Sequence, residues 1–374
     1  MTAAPIDTEG VLAALRAHGD SLMLPAAAYT DAAVHAWERR HVFAGSWTCL
    51  GRAGELLADA SQRALDVGDV GVLLTSDDGR LRAFANVCRH RGHELLPAGG
   101  AAGHRAVVCP YHGWSYRLDG GLRAAPGMET RPDGLDLVEL PLATWQGWVF
   151  VNATATAPPF ARYLGAMADL VGPYRAEDLV VGARHTYEVA ANWKILVENY
   201  HECYHCPLIH PELCQVSPPS SGANFDLPGV WVGGDMDLRE QAATMSLDGR
   251  SRGRMLPGVD ARTVRYLSLF PNLLVSAHPD YVMTHRLTPL SPGRTEVECS
   301  WLFLPGIEDT SYAVDFWDVT NREDWAACES VQRGVANPHF RPGPLAAKED
   351  AVYQWVSLVA RVYLDPVRAL ADAC

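Results

Sequence analysis

Cys88-Arg-His90 and, after 18 intervening residues, Cys109-Pro-Tyr-His112-Gly-Trp114 form the strongest motif in the chain. Each half carries one cysteine and one histidine. Two such halves on neighbouring hairpin loops supply two thiolates and two imidazoles, a donor set that suits a structural zinc ion. The same four residues also suit a [2Fe–2S] cluster, with Cys88 and Cys109 on one iron and His90 and His112 on the other. Zinc fingers usually segregate two cysteines into one half and two histidines into the other. The interleaved order here lets two loops clamp a two-iron cluster from opposite sides, and it favours the cluster. His93 and His104 lie between the halves but outside the pattern, and read as surface or supporting residues.

The surroundings of the motif read as a small antiparallel β domain over residues 44–155. Short β-rich runs such as Gly71-Val-Leu-Leu-Thr, Leu81-Arg-Ala-Phe-Ala-Asn-Val, Ala106-Val-Val-Cys and Trp148-Val-Phe-Val recur there. Turn signals separate them, including Asp77-Asp-Gly, Asp119-Gly-Gly and Pro126-Gly. Residues 1–43 read as one or two helices, which join 156–374 to make the second, larger domain.

A second cluster of chemistry-bearing residues lies in Asn192-Trp-Lys-Ile-Leu-Val-Glu-Asn-Tyr-His-Glu-Cys-Tyr-His-Cys-Pro-Leu-Ile-His-Pro211. With Asn192 as helix cap, Glu198, Glu202 and His205 fall at i, i+4 and i+7 on one face. Pro207 cannot continue a helix interior, so the chain turns there and swings His210 back toward His205. Two imidazoles with a carboxylate nearby are the makings of an iron site. Taken alone, Glu202 is the natural carboxylate. His201 points to another side of the helix. Cys203-Tyr-His-Cys206 is formally a C-x-x-C, but beside these histidines it reads as structural or supporting thiols rather than a redox or zinc pair.

Ala313 to Val335 reads as a long helix in which Asp324, Cys328, Val331 and Val335 share the apolar face. Glu323 falls on a different side, and Glu329 with Arg333 makes an exposed i, i+4 pair. A lone inward carboxylate needs a partner, either a metal or a buried salt bridge. Between the two helical segments, strand-like runs at Tyr266-Leu-Ser-Leu-Phe, Leu273-Leu-Val-Ser-Ala and Val297-Glu-Cys-Ser-Trp-Leu-Phe-Leu alternate with loops, among them Ser217-Pro-Pro-Ser-Ser-Gly-Ala-Asn.

Cys88-Arg-His-Arg-Gly-His and Cys109-Pro-Tyr-His-Gly-Trp-Ser-Tyr resemble the Rieske motif, with a Gly- and Ala-rich insert slightly longer than usual. Together with Glu198-Asn-Tyr-His-Glu-Cys-Tyr-His-Cys and His210-Pro, in that order, the chain resembles the catalytic α subunit of Rieske non-haem iron oxygenases from about Trp47 to about Gly334. The resemblance implies an α+β fold, with the β domain joined to a larger domain of antiparallel sheet flanked by helices. It implies that His205 and His210 are two arms of a 2-His-1-carboxylate Fe(II) site, and that Asp324 is the third. Glu202 then matches the acidic residue that bridges to a Rieske histidine, here His112, of the neighbouring subunit in a head-to-tail homotrimer. Many members carry aspartate at that place.

The resemblance also implies O2 as co-substrate and a separate reductase, with or without a ferredoxin, since the chain has no flavin or NAD(P)H fingerprint of its own. The closest pattern is that of α-only oxygenases of small quaternary amines, which hydroxylate an N-methyl group or a neighbouring carbon. Trp231, Tyr266, Phe270, Tyr281 and Trp301 are the candidates for cation-binding aromatic walls. Hydroxylation of an aromatic ring or acid is the alternative within the family. A Rieske electron carrier without oxygenase activity is the alternative outside it.

Composition narrows the partners. The 374 residues are 48% hydrophobic and 20% charged, ordinary for a globular protein, and the net charge is −13. That balance argues against nucleic acid, which needs a basic stripe, and against an anionic membrane surface. No apolar run reaches a membrane span, and the first residues lack the basic start and apolar core of a signal peptide, so a cytoplasmic protein is expected. Nine scattered cysteines suit free thiols and metal ligands better than structural disulfides.

Overall fold

The structure, a computed structural model, describes residues 3–373. Met1, Thr2 and Cys374, and with them part of the N-terminal and cysteine readings, lie outside the described residues. The chain divides into two compact units, one spanning Glu38–Ala157 and the other formed by the residues before and after it.

The Glu38–Ala157 unit is built from short antiparallel strands in three sheets. Gln62–Val67, Val70–Asp77 and Arg80–Ala85 form the middle of a five-stranded sheet. The strand Val70–Asp77 buries Val72 to Thr75 without a break, as expected of a central strand. Thr48–Arg52, Trp148–Val151 and Leu142–Trp145 make a second sheet. Val107–Val108, Ser115–Tyr116 and Leu122–Ala124 make the third. Leu73, Phe84, Val107, Trp114, Tyr116 and Leu122 pack into one apolar cluster that also contains Cys88 and Cys109. The two cysteines are therefore set in a hydrophobic floor.

The larger unit is organised on a seven-stranded antiparallel sheet. Its order is Val180–Val189, Arg294–Phe303, Tyr281–Ser291, Leu273–Ala277, Thr263–Leu269, Trp231–Asp237 and Ala223–Asn224. The edge strand Val180–Val189 alternates exposed and partly buried positions. Leu273–Ala277, near the centre, is buried throughout. The helix Ser311–Val335 buries Phe316, Thr320, Asn321 and Cys328 along one stripe. Val331, expected on that stripe, is 45% exposed. Glu329, expected to pair with Arg333, accepts the Ala190 N–H at 3.1 Å. The helix Trp193–Tyr200 is buried over Trp193 to Glu198 and packs against both Ser311–Val335 and Asp350–Leu364.

Candidate metal centres

The two motif loops in the β unit are built alike. Val87 bridges to Glu94 around the first, and Val108 pairs with Ser115 around the second. In the first, Cys88 N–H donates to His93 O at 2.8 Å and Gly92 N–H donates to Cys88 O at 3.0 Å. In the second, Cys109 N–H donates to Trp114 O at 2.8 Å and Gly113 N–H donates to Cys109 O at 3.0 Å. Gly92 and Gly113 close the loops at φ 72° and 74°, a left-handed conformation that costs glycine little. Each loop drives its cysteine into the apolar floor and leaves its histidine on the outer surface. The rings of His90 and His112 stand 4.7 Å apart, and His90 stacks on Trp114 at 4.8 Å. His93 stays at the surface, with Nδ1 2.5 Å from Glu94 O.

Tyr116, which spacing did not single out, sits under this pair of loops. Its Oη accepts the Arg89 N–H at 3.0 Å and lies 3.3 Å from Cys88 Sγ, so its own proton is free for the sulfur. Burial raises the Cys109 thiol pKa. Two buried sulfurs and two outer imidazoles fit a cluster with an inner and an outer iron. Among the described residues, the group whose donors crowd within the reach of one ion is a different one.

That group is His205, His210 and Asp324. Asn192 caps the helix as the sequence implies, its side chain accepting the Lys194 N–H at 3.0 Å. The helix does not run on to His205, however. It ends at Tyr200, and Glu202 and His205 belong to a turn, so the single face expected for Glu198, Glu202 and His205 does not exist. Side-chain competition for backbone donors explains the break: Glu202 Oε2 takes the N–H of Tyr204 at 2.5 Å and of His205 at 3.1 Å. Cys203 and Cys206 form a disulfide across the turn, against the expectation of free thiols. Pro207 lies in the first turn of a new short helix, Cys206–Ile209, where its missing N–H costs nothing, rather than ending the old one. Glu198 points elsewhere and accepts from Tyr29 Oη at 2.9 Å, with burial pushing its pKa up to about 8.

The short helix Cys206–Ile209 sets His205 before it and His210 after it, with their Nε2 atoms 3.1 Å apart. Asp324 Oδ1 lies 2.9 Å from His210 Nε2 and 3.3 Å from His205 Nε2. Ligands held about 2.1 Å from a metal on adjacent octahedral corners stand about 3 Å from one another, which is the geometry of a facial triad with its other positions open. The donor set therefore fits one ion. Burial opposes charge on His205, but its bonds to Asp324 and Glu202 prevail and its pKa is pushed up to about 9. Burial likewise opposes charge on Asp324, yet the two imidazoles hold its carboxyl below its ordinary range.

Both imidazoles are gripped from behind. His205 Nδ1 lies 2.5 Å from Glu202 Oε1, and His210 Nδ1 lies 2.8 Å from Glu323 Oε2. The role of Glu323 escaped a periodicity argument that put it on another side of the helix. His201, left out of the metal shell, bonds to Ser268 Oγ at 2.7 Å.

A cavity of about 710 Å³ opens onto His205, His210 and Asp324. Pro219, Ser220, Gly222, Ala223 and Asn224 of the loop singled out in the sequence border it. Of the five expected aromatic walls only Tyr266 lines it. Trp231, Phe270, Tyr281 and Trp301 are packed in the core. Beside Tyr266 the walls come from Tyr200, Tyr204, Trp317 and Trp325, with Tyr200 and Tyr266 rings 5.9 Å apart and Tyr266 and Trp317 rings 6.4 Å apart. Among the described lining residues the carboxylates are Glu202, Asp235, Asp324 and Asp350, and the one lysine or arginine is Lys348, which is exposed.

Residues 46–146 match the Rieske [2Fe-2S] domain, and residues 176–365 match the ring hydroxylating alpha subunit catalytic domain. The chain belongs to the Rieske non-haem iron oxygenases. It is 31% identical over 366 residues to the glycine betaine monooxygenase oxygenase subunit of Chromohalobacter salexigens, covering 86% of this chain and 81% of that one. Over 196 residues it is 39% identical to the carnitine monooxygenase oxygenase subunit of Escherichia coli strain K12, covering 50% and 52%. A solved quaternary ammonium Rieske monooxygenase, described in connection with carnitine oxidation and inter-subunit electron transfer, superposes with a TM-score of 0.76 at 25% identity. The match covers 97% of this chain and 100% of that one. This oxygenase therefore carries a Rieske [2Fe–2S] cluster and a mononuclear iron, which sets aside zinc and the pure electron carrier. Oxygenases of this family work with a substrate, O2 and a separate reductase.

Proposed function

We propose that the chain is the terminal oxygenase for a small quaternary amine and hydroxylates one of its N-methyl groups. The observation that carries this reading is the cavity: aromatic rings on its walls and, among its described lining residues, no buried lysine or arginine. A quaternary ammonium ion offers no N–H donor, so it is recognised by ring faces and diffuse negative charge. An aromatic acid, the competing substrate, brings no cationic head for those ring faces to bind.

Cys88, His90, Cys109 and His112 hold the cluster in this reading, and His205, His210 and Asp324 hold the iron. Iron bound there supplies activation of O2, with electrons from the cluster. Two electrons, two protons and O2 yield one hydroxyl on the methyl carbon and one water. The resulting N-hydroxymethylammonium loses its hydroxyl proton and releases formaldehyde as the C–N bond breaks, leaving a tertiary amine. The protein's own work is to hold the methyl group beside the open positions of the triad and to keep the imidazoles aimed. Glu202, tied to His205 Nδ1 and to two backbone N–H groups, is rigid enough to serve as a hydrogen-bonded bridge to His112 of a neighbouring subunit in a head-to-tail homotrimer. We place the enzyme in the cytoplasm, beside a nicotinamide-dependent reductase. No described helix is long and apolar enough to cross a membrane.

The test is O2 uptake with a surrogate reductase across glycine betaine, carnitine, choline and benzoate. Formaldehyde released in step with O2 from at least one methylated amine is expected. Turnover of benzoate with no formaldehyde from any amine would overturn the reading.

A further inference from the structure

Glu323 and Asp324 are consecutive residues of the helix Ser311–Val335, yet both carboxylates reach the same imidazole. Asp324 Oδ1 lies 2.9 Å from His210 Nε2, and Glu323 Oε2 lies 2.8 Å from His210 Nδ1. One helix therefore grips the ring at both nitrogens. The His210 side chain is 2% exposed, so with Glu323 in place its Nδ1 is shielded from water. Among the described residues, the acceptor within reach of Nδ1 is Glu323 Oε2.

We propose that Glu323 is a positioning residue for the mononuclear iron site. With Nδ1–H donating to Glu323, the neutral ring keeps its Nε2 lone pair for the ion that His205, His210 and Asp324 would hold. A second partner of this kind orients a metal-binding imidazole and raises its basicity. Glu202 does the same for His205, but from the turn and with its other oxygen spent on backbone donors. Glu323 differs in sharing a helix with the third ligand, so any shift of that helix moves Asp324 and the anchor of His210 together. A surface role alone would fit its 31% side-chain exposure but would leave iron binding indifferent to its removal.

The inference rests on His205, His210 and Asp324 being the iron ligands, and the experiment separates the two claims. Fe(II) affinity is measured on the holoenzyme by competition with a chromogenic chelator, in Glu323→Ala, Glu323→Gln and His210→Ala. The Rieske visible spectrum serves as the control for folding, and the Co(II)-substituted visible spectrum reports ligand geometry. Glu323→Ala should weaken Fe(II) binding roughly 10- to 100-fold and alter the Co(II) bands. Glu323→Gln, which still accepts from Nδ1–H but carries no charge, should fall between it and the parent. If His210→Ala loses iron while both Glu323 variants bind as the parent does, the positioning role is wrong and the ligand assignment stands. If His210→Ala also binds as the parent does, the ligand assignment itself fails. Should Glu323→Ala lose the cluster spectrum, the Gln variant decides alone, by weakened or by unchanged affinity.

Discussion

His278 has a side chain with 0% exposure and, among the described residues, no partner at either ring nitrogen, and it stacks on Tyr281 at 4.2 Å. Burial lowers the pKa of His278 well below its ordinary value, that of His201 to about 3 and that of His285 to about 4. All three are neutral in the fold and take up a proton on unfolding below about pH 6.5. Their contribution to stability is therefore complete above that pH and is lost as pH falls below it. Each should cost about 1.4 kcal/mol between pH 7.5 and 5.5. Denaturant titrations at the two pH values should show His278→Phe reducing the loss by about that amount, since phenylalanine forfeits no hydrogen bond here. In the cavity, Trp317→Leu should raise KM for a quaternary amine severalfold, in line with about 0.5–2 kcal/mol for one cation–π contact. Steady-state kinetics would show the opposite, an unchanged KM, if the ring is only packing.

The placements that come from local spacing were legible; those that depend on which way a side chain leaves a sheet were not. Each Cys–His loop is a six-residue turn closed by its own hydrogen bonds, so Cys88, His90, Cys109 and His112 could be read directly. Asp324 was legible because the helix period places it with Cys328 on the inward stripe. Trp231, Phe270, Tyr281 and Trp301 were misplaced because strand-rich composition cannot say which sheet face borders the cavity. The true walls include Trp317 and Trp325 on a helix and Tyr200 at the end of another. The early end of the Trp193–Tyr200 helix was hidden as well, since it follows from Glu202 capturing two backbone donors. At the other end of that helix, Asn192 also donates from Nδ2 to Pro292 O at 2.6 Å. Asn192→Ala should therefore destabilise the fold by about 1–2 kcal/mol in denaturant titration. A shift below a few tenths would mean that the cap is idle.

At the scale of the whole molecule, one chain contributes both centres, and the proposed bridge role of Glu202 would make their cooperation a property of the proposed homotrimer. Co-expressing a cluster-impaired His112 variant with an iron-deficient Asp324 variant should restore activity to about a quarter of the parent's, the fraction of head-to-tail junctions with a good donor and a good acceptor. No recovery in isolated mixed trimers would place electron transfer within single chains. The assignment beneath all of this is that Asp324 completes the iron site and Glu202 does not. It is tested by counting iron and acid-labile sulfide per chain in Asp324→Ala and Glu202→Ala. Asp324→Ala should fall from about three irons to about two with its Rieske spectrum intact, while Glu202→Ala keeps about three and loses turnover. The reverse pattern, with the third iron lost on removing Glu202 and kept without Asp324, would contradict the account.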